Sequence, residues 1–489
     1  MAAIALVKIH PAIGIGRIGN SPNEFYIGPE QLGAHSVPKG GYKDPQGRIK
    51  RQAARFRLFA YDHNGNLVEE LTTKHAHISW SVHLANKKAA WNQFDGLSPN
   101  APLRNAGVTD RNSLIIDPGH RSVSGPNKVA HFDTGRFLGQ VVPLGEIRTD
   151  RQGRLIVLGG FGHSASPTNT PLTTFANNDG WHDDVSDGPV TATVALKGNG
   201  KTFAAVGAWV ICPPPKFAPP IDSIITLYDT LLQVAVDKLG LHLPTKPSFS
   251  KDIYPLLRRA INVGWVSGMV TSQHAHATLG AVIPPPASAS ARLAIFNKLR
   301  DPTLLPNQDA GDADMPMIWS DYYTDGKNQP LTRIQYDAMM KWRDGSFIDD
   351  WSGPPKPSRK ITPEGLDRAA LEACVGAAFY PGIEASWLLR DTYKFSEPFR
   401  LDATSLEPGD ITKQMAVPWQ ADFYDCSQDG DYAWWPAQRP DDVYPDGSTT
   451  QQPWIRQHVN SPTDMVNNWY KLGFVVKKRA RYVETERNP

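Results

Sequence analysis

The chain has 489 residues, and its 51 basic and 49 acidic side chains leave almost no net charge. This length predicts a large core and two or more subdomains. Because there is no basic block and no apolar run as long as a membrane span, we expect neither nucleic acid nor a membrane as a partner. Three cysteines do not make a disulfide framework, and the apolar N-terminus lacks the features of a signal peptide. A soluble, cytoplasmic protein is therefore expected.

The first part of the chain is predicted to be rich in β-strands. Met1–Ile9 is an apolar run typical of a strand, and Ala54–Tyr61 alternates polar with apolar residues. Further runs of apolar or β-branched residues, bounded by glycine, aspartate and proline, are Leu155–Gly159, Val190–Leu196 and Phe203–Cys212. Three prolines follow at 213–215. We therefore predict a β-rich domain over residues 1–215.

After these prolines the hydrophobic spacing becomes helical. Asp222–Lys238 has the apolar periodicity of an amphipathic helix and is followed by Gly240 as a stop signal. Other predicted helices are Asp252–Val263, Ser288–Leu299, Pro330–Arg343, Pro363–Cys374 and Thr463–Leu472. The predicted fold class is α+β, with a second domain over residues 216–489 that is helical and rich in loops.

The chemically most informative segment lies in this second domain. Asp422 precedes Cys426 by four residues, and Cys426 precedes the pair Trp434 and Trp435 by eight. A thiol, an electron-rich indole and a carboxylate base are the components of a redox cofactor made from side chains. Aromatic residues follow Asp422, and a carboxylate in such a frame is suited to accept a proton. Taken alone, however, a buried free cysteine beside core tryptophans is common.

Three other patterns have weaker functional interpretations. Gly14–Gly19 has the spelling of a dinucleotide fingerprint, but the residues that follow it break a helix, so we predict a turn between strands. The run of Asn and Asp residues over 177–187 offers oxygen ligands for calcium but lacks the closing Glu of an EF-hand. His274 and His276 lack an indicated third ligand for zinc. No metal site is therefore predicted.

Several segments together resemble the family of quinoprotein amino-acid oxidases that includes lysine ε-oxidase and glycine oxidase. The resemblance extends over nearly the whole chain and is specific because many long matches occur in order. The matching segments are His10–Ser21, Phe25–Glu30, Leu158–Ser164, Phe175–Asp184, Ser186–Val190, Gln335–Tyr336 with Trp342, Cys374–Glu384, Asp422–Pro440 and Trp469–Phe474.

The resemblance implies a cysteine tryptophylquinone cofactor. In it, Cys426 is the thioether partner, and Trp434 or Trp435 is the oxidised indole, with Trp434 slightly favoured. Asp422 corresponds to the family aspartate that acts in cofactor formation and as the active-site base. The primary amine of an amino acid or related amine would form a Schiff base on the quinone, and after proton removal hydrolysis would release an aldehyde or oxo acid while the nitrogen stays on the reduced cofactor. Oxygen would then be reduced to hydrogen peroxide, and ammonia would be released.

The resemblance also indicates residues of the substrate pocket and partners of the protein. Tyr380 and Phe161 fall at positions that line the pocket, and His163 lies in the same glycine-rich turn as Phe161. Arg439 is a candidate for binding a substrate carboxylate, because guanidinium groups form paired hydrogen bonds with carboxylates. The family further implies a flavoprotein that hydroxylates the tryptophan, and a homo-oligomer.

Two alternatives belong to other functional classes. A calcium-assisted carbohydrate- or peptide-binding protein without catalysis would use the Asn and Asp run and exposed aromatic residues. A metal-dependent enzyme would use His163, His182, His274 and His276. Visible absorbance without added metal would distinguish the quinoprotein from both.

Overall fold

The computed structural model describes residues 4–94, 101–273, 288–304, 308, 310–318, 329–376, 388–426 and 438–489. Its strands, in chain order, are β1 (Leu6–His10), β2 (Ile13–Ile15), β3 (Phe25–Ile27), β4 (Arg51–Tyr61), β5 (Leu67–Leu71), β6 (Ala76–Val82), β7 (Arg121–Ser124), β8 (Val129–Phe132), β9 (Arg136–Phe137), β10 (Gln140–Val141), β11 (Gly145–Thr149), β12 (Leu155–Leu158), β13 (Ser186–Leu196), β14 (Thr202–Ala204), β15 (Ala208–Cys212), β16 (Phe395–Glu397), β17 (Arg400–Leu401), β18 (Asp442–Val443), β19 (Gln452–Pro453), β20 (Phe474–Lys478) and β21 (Arg481–Thr485).

Two larger sheets form the N-terminal half of the described chain. In the first, the strand order is β1-β4-β12-β11-β8, and β3 and β5 also pair with β4. In the second, the order is β2-β15-β13-β6-β7, and β14 also pairs with β13. Side chains from both sheets meet in one buried cluster, for example Phe56 and Val157 from the first sheet with Trp80 and Val210 from the second. Burial of these apolar faces holds the sheets together.

The pattern of β13 illustrates how the sequence sets this arrangement. Val190 and Val194 are fully buried, whereas Thr191 and Thr193 between them face outward. Alternation with a period of two places one face of a strand in the core. The strand begins at Ser186, at the end of the Asn and Asp run, and β12 ends immediately before the glycine-rich turn at Gly159–Ser164. Both polar segments therefore emerge directly from central strands.

The α-helices of the described residues all come after β15 in the chain. They are α1 (Leu227–Lys238), α2 (Tyr254–Val263), α3 (Gly268–Gln273), α4 (Ala289–Phe296), α5 (Arg333–Arg343), α6 (Pro363–Glu372), α7 (Trp419–Asp425) and α8 (Pro462–Asn468). A π-helical turn, Phe249–Ile253, precedes α2. Short 3-10 turns occur at Lys88–Ala90, Arg111–Leu114, Leu388–Arg390, Thr392–Lys394 and Trp469–Lys471. A second buried cluster joins the N-terminal half to these helices and includes Ile18, Phe217, Trp419, Trp469 and Phe474.

The α+β fold class predicted from the sequence is confirmed, while several element bounds differ. Helix α1 begins at Leu227 because Thr226 and Asp229 form a reciprocal capping box there. The run predicted as one strand over Phe203–Cys212 is two strands, because Val206 turns away to exchange backbone hydrogen bonds with Val7 and Ile9 of β1. The sequence patterns do not predict α7.

Two further features bear on the sequence predictions. At the N-terminal glycine motif, β2 is followed by an isolated bridge between Arg17 and Gln52, and a Cβ atom on Gly14 would lie 2.3 Å from the Phe56 ring. These glycines therefore allow close approach between strands. Among the helices of the described residues, none has the length and apolar character needed to cross a bilayer.

Candidate active site

Helix α7 brings the predicted base and the predicted thioether cysteine together. The backbone N–H of Cys426 donates to the carbonyl of Asp422 at 2.9 Å, so the two residues lie one helical turn apart. Side chains at this spacing lie on the same face of a helix. Asp422 is buried, whereas Cys426 is half-buried. The carboxylate is thus enclosed by protein, and the thiol lies at the end of the helix.

Aromatic side chains surround the buried part of α7. The Trp419 and Phe423 rings meet edge to face at 4.8 Å, and Trp469 packs on Trp419 at 5.4 Å. Trp419 and Phe423 are both fully buried. Because an apolar enclosure excludes water, charges and dipoles act strongly on one another there.

A glycine-rich turn lies against the same helix. The Ser164 hydroxyl donates to Gln420 Oε1 at 2.7 Å, and Gln420 Nε2 donates to the Gly162 carbonyl at 3.2 Å. Gly162 has φ +75°, and a Cβ atom there would lie 2.1 Å from the Trp469 ring. Only glycine fits both the backbone conformation and the space. This turn places Phe161 and His163 beside α7.

The Asp184 carboxylate binds the backbone of this glycine-rich turn. Its Oδ2 accepts the backbone N–H groups of Phe161 at 2.6 Å and of His163 at 3.1 Å, and its Oδ1 accepts that of Gly162 at 3.2 Å. Burial raises the pKa of Asp184 to about 7, although the three N–H donors favour its ionised form.

The other predicted pocket residues have varied surroundings. Phe161 is half-buried under the Arg51 guanidinium, 4.4 Å from the ring centroid. His163 is exposed, and its ring lies 5.9 Å from that of His182. Arg439 is fully buried and donates from Nε to the Phe423 carbonyl of α7 at 2.7 Å and from Nη1 to the Pro440 carbonyl at 3.1 Å. Trp434, Trp435 and Tyr380 lie outside the described residues.

Comparison with known proteins gives matches in both halves of the chain. A family model described as L-Lysine epsilon oxidase N-terminal matches residues 10–212, and the L-lysine epsilon oxidase C-terminal domain matches residues 324–446. The L-lysine 6-oxidase of Marinomonas mediterranea is 30% identical over 86% of this chain and 71% of its own length. The chain belongs to the L-lysine ε-oxidase family.

Solved structures agree with this assignment. The crystal structure of the Schiff base intermediate of L-Lys ε-oxidase from Marinomonas mediterranea with L-Lys has a TM-score of 0.81 and 26% identity. The structural match covers 99% of this chain and 95% of the crystallised L-Lys ε-oxidase chain. A second structure of the ε-lysine oxidase from the same organism has a TM-score of 0.82. This member of the family is an amino-acid oxidase, and the binding-protein alternative is not supported.

In the oxidase, the Asn and Asp run forms hydrogen bonds with distant parts of the protein. Asp187 accepts from the Trp209 indole at 2.9 Å and from the Thr412 hydroxyl at 2.6 Å. Asn178 donates to the carbonyl of Val417 at 3.1 Å. Asp183 accepts from the Lys88 ammonium at 2.5 Å. The run therefore fastens the segment that leads into α7.

Metal ligands are not grouped in the described part of the oxidase. Among the described residues, no group of three or more His, Cys, Asp or Glu side chains could hold a metal ion. His274 and His276 lie outside those residues. His182 is buried, and this burial lowers its pKa to about 4, so its imidazole is neutral near pH 7.

Sequence patterns alone missed the residues that support the site. In the sequence, Asp183 and Asp184 stand out only as part of a run of possible cation ligands, and nothing singles out Lys88. Their signal was present in the composition of 177–187: a polar run directly before a buried strand must find hydrogen-bond partners. The partners lie far away in sequence. The pattern therefore indicates that these side chains need hydrogen-bond partners, but it does not indicate which residues supply them.

Proposed function

We propose that this oxidase acts on the primary amine of an amino acid or related amine through a cysteine tryptophylquinone formed from Cys426 and Trp434 or Trp435. Trp434 remains the slightly favoured indole. The observation that carries the proposal is the placement of Asp422 and Cys426 on one face of α7, one turn apart. This supports a base beside a covalently anchored redox group.

The residues flanking the tryptophan pair give further support. Cys426 ends α7 on one side of the 427–437 segment, and Arg439 on the other side donates to Phe423 of the same helix at 2.7 Å. Gln438 is also fully buried there. Both ends of the segment are thus held at one helix, as a thioether between Cys426 and an indole in that segment would require.

The described residues fit the chemistry that such a cofactor needs. The ortho-quinone, once formed, supplies an electrophilic carbonyl and an electron sink for oxidation of the amine. The Asp422 carboxylate accepts the proton from the carbon that bears the nitrogen. Asp422 is buried, which keeps water from its carboxylate, while the turn held by Asp184 offers Phe161 and His163 as walls for the substrate.

For the substrate, we propose amino acids with L-lysine as the first compound to test, because L-lysine is named for the relatives. Tyr380, Phe161 and His163 remain the candidate pocket residues, and Arg439 the candidate for a substrate carboxylate. A peroxide assay across the amino acids, with the α-amino-blocked and ε-amino-blocked forms of lysine, would identify the compound and the amine that is oxidised.

Maturation and assembly belong to the same proposal. We expect a separate flavoprotein to hydroxylate the tryptophan and the oxidase to form a homo-oligomer, as the resemblance implies. Expression without that flavoprotein should give colourless, inactive protein. The cytoplasmic location stays a prediction.

The cofactor is tested by Cys426→Ala and Asp422→Ala, each co-expressed with the flavoprotein. Both variants should fold but lack visible absorbance and peroxide production. Unfolded mature wild type should titrate two thiols, Cys212 and Cys374, out of the three in the sequence.

Cys374→Ala is the matched control, because Cys374 is buried and lies outside α7. This variant should keep its colour and titrate one thiol. A coloured and active Cys426→Ala protein would refute the proposal.

A further inference from the structure

Helix α7 does not fix its own position. It has only seven residues, and its N-cap, Pro418, offers no side-chain hydrogen bond to the first turn. Helices this short are marginal in isolation, so tertiary contacts must stabilise them. Because α7 carries Asp422 and Cys426, whatever fixes its first turn also fixes the reactive groups.

The cap comes from the N-terminal half of the chain. Asp183 Oδ2 accepts the backbone N–H of Trp419, the first residue of α7, at 3.1 Å. Asp183 is fully buried and lies 236 residues earlier in the sequence. A carboxylate at this position satisfies a backbone donor that the helix itself leaves without an intrahelical acceptor.

Lys88 holds this carboxylate in place. Its Nζ lies 2.5 Å from Asp183 Oδ2, and neither side chain is exposed to solvent. Asn86 Nδ2 donates to the other carboxylate oxygen at 3.0 Å. Burial lowers the pKa of Lys88, and the charge of Asp183 opposes this shift. The pair is thus a compact ionic contact within the core.

A second connection joins Lys88 to the chain before α7. Arg104 Nη1 donates both to the Lys88 carbonyl at 3.1 Å and to the Met415 carbonyl at 2.9 Å. The Lys88 ammonium therefore reaches the start of α7 through Asp183. The Lys88 carbonyl is joined through Arg104 to the segment that precedes the helix. The two connections converge on one short stretch of chain.

The energetics favour a geometric role over a stabilising one. A buried ion pair gains little net stability over apolar replacements, because desolvation opposes its attraction. What such a pair does provide is a defined direction and distance. Asp422 lies three residues beyond Trp419, so a shift of the first turn is transmitted to the carboxylate, and small misplacements of reacting groups lower rates by about a hundredfold.

We propose that the buried Lys88–Asp183 pair is a positioning device that sets the first turn of α7 and, through it, the location of Asp422. This inference rests on the proposed role of Asp422 as the base. Lys88 and Asp183 act through the helix and are positioning residues.

The test uses Lys88→Met, Asp183→Asn and the double variant, each matured with the flavoprotein and normalised to its cross-linked fraction from intact mass. Each single variant should lower kcat about tenfold or more and change KM much less. The pH profile of kcat should also shift, because the surroundings of the base change. The double variant should be no slower than the slower single variant, since the pair acts as one unit.

Arg259→Met is the matched control. Arg259 forms a similar, largely buried pair with Asp229 at 2.7 Å, and its charged partners lie on α1 and α6. This variant should lose about as much thermal stability as Lys88→Met and Asp183→Asn, but its kcat should stay within about twofold of wild type.

Wild-type kcat and pH profile in folded Lys88→Met and Asp183→Asn would overturn the inference. If a single variant does not fold, the double variant decides, because it leaves no unpaired charge in the core. A lowered kcat then supports positioning, and a wild-type kcat overturns it. Activity in Asp422→Ala would instead refute the proposed base, whatever the Lys88 variants do.

Discussion

The adjacent residues Asp183 and Asp184 of the oxidase bind different partners. Asp183 faces the Lys88 ammonium, whereas Asp184 faces three backbone N–H groups of the glycine-rich turn. Burial is the largest influence on Asp184 and raises its pKa to about 7. Near neutral pH this carboxyl group is therefore at the midpoint of its titration, directly beneath the turn that carries Phe161 and His163.

This pKa predicts how stability depends on pH. The folded-state pKa of Asp184 lies above the unfolded value of 3.8, so the folded protein holds the proton more tightly. The stabilising contribution is complete below pH 3.8 and is lost as pH rises through about 7. In Asp184→Asn this contribution is absent. The melting temperature of the variant minus that of wild type should therefore increase as the pH is raised from 5 to 8.

Thermal unfolding at intervals across that range provides the measurement. Asp187, with a pKa raised by burial to about 6, titrates in the same direction in both proteins and cancels from the difference. A constant gap between variant and wild type across the range would contradict the assigned pKa.

At the scale of elements, the glycine-rich turn and α7 depend on close packing against Trp469. Gly162→Ala would add a Cβ atom 2.1 Å from the Trp469 ring at a residue with φ +75°. We expect the variant to lose more than about 2 kcal/mol in the free energy of unfolding, because overpacking adds to backbone strain.

Gly200→Ala separates the two effects. Gly200 has φ +67° and open space around its Cβ position, so it should show backbone strain alone, about 1–2 kcal/mol. Denaturant unfolding of both variants gives the comparison. Equal losses would show that contact with Trp469 does not constrain the turn.

Two roles are open for Arg439: support of α7 or binding of the substrate carboxylate. Two of its donors bind backbone carbonyls, one of them in α7, so its contacts favour support of the helix. Arg439→Met should therefore lower kcat/KM about equally for an amino-acid substrate and for the amine that lacks its carboxylate. A loss confined to the amino acid, measured by peroxide production, would instead assign Arg439 to the substrate carboxylate.

At the scale of the whole molecule, the last described residues return to the N-terminal half. Glu486 accepts the backbone N–H groups of Tyr42 at 3.1 Å and Lys43 at 2.8 Å, and Asn488 Nδ2 donates to the Gly47 carbonyl at 3.0 Å. Beside them, burial lowers the pKa of Lys43 to about 7. These contacts join the C-terminal end of the described chain to a loop in its N-terminal half.

Glu486→Ala should lower the free energy of unfolding by about 1–3 kcal/mol, because it leaves the backbone N–H groups of the buried residues Tyr42 and Lys43 without their acceptor. Asp446→Ala is a suitable comparison, since it breaks the exposed pair with Lys478 and should cost less than about 1 kcal/mol. Similar losses in the two variants would show that the connection adds nothing beyond a surface contact.

Local spacing in the sequence indicates candidate reactive groups more readily than it indicates the residues that support them. Asp422 and Cys426 are four residues apart, and local spacing is sufficient to place such residues on one helical face. The contact between Asp183 and Trp419 spans 236 residues, and a single sequence contains no periodicity that indicates it. The short helix α7 was missed for the same reason, because distant donors and acceptors stabilise it.

The distant origin of the α7 cap has a consequence for the order of events in the cell. Asp183 and Lys88 come from the segments next to β13 and β6, so the acceptor for Trp419 exists only once those sheets have formed. For the cofactor proposed above, folding of the two sheets would come before the oxidative modification, because only the folded protein fixes the first turn of α7. A C-terminal fragment synthesised alone would carry Cys426 without the scaffold that positions α7.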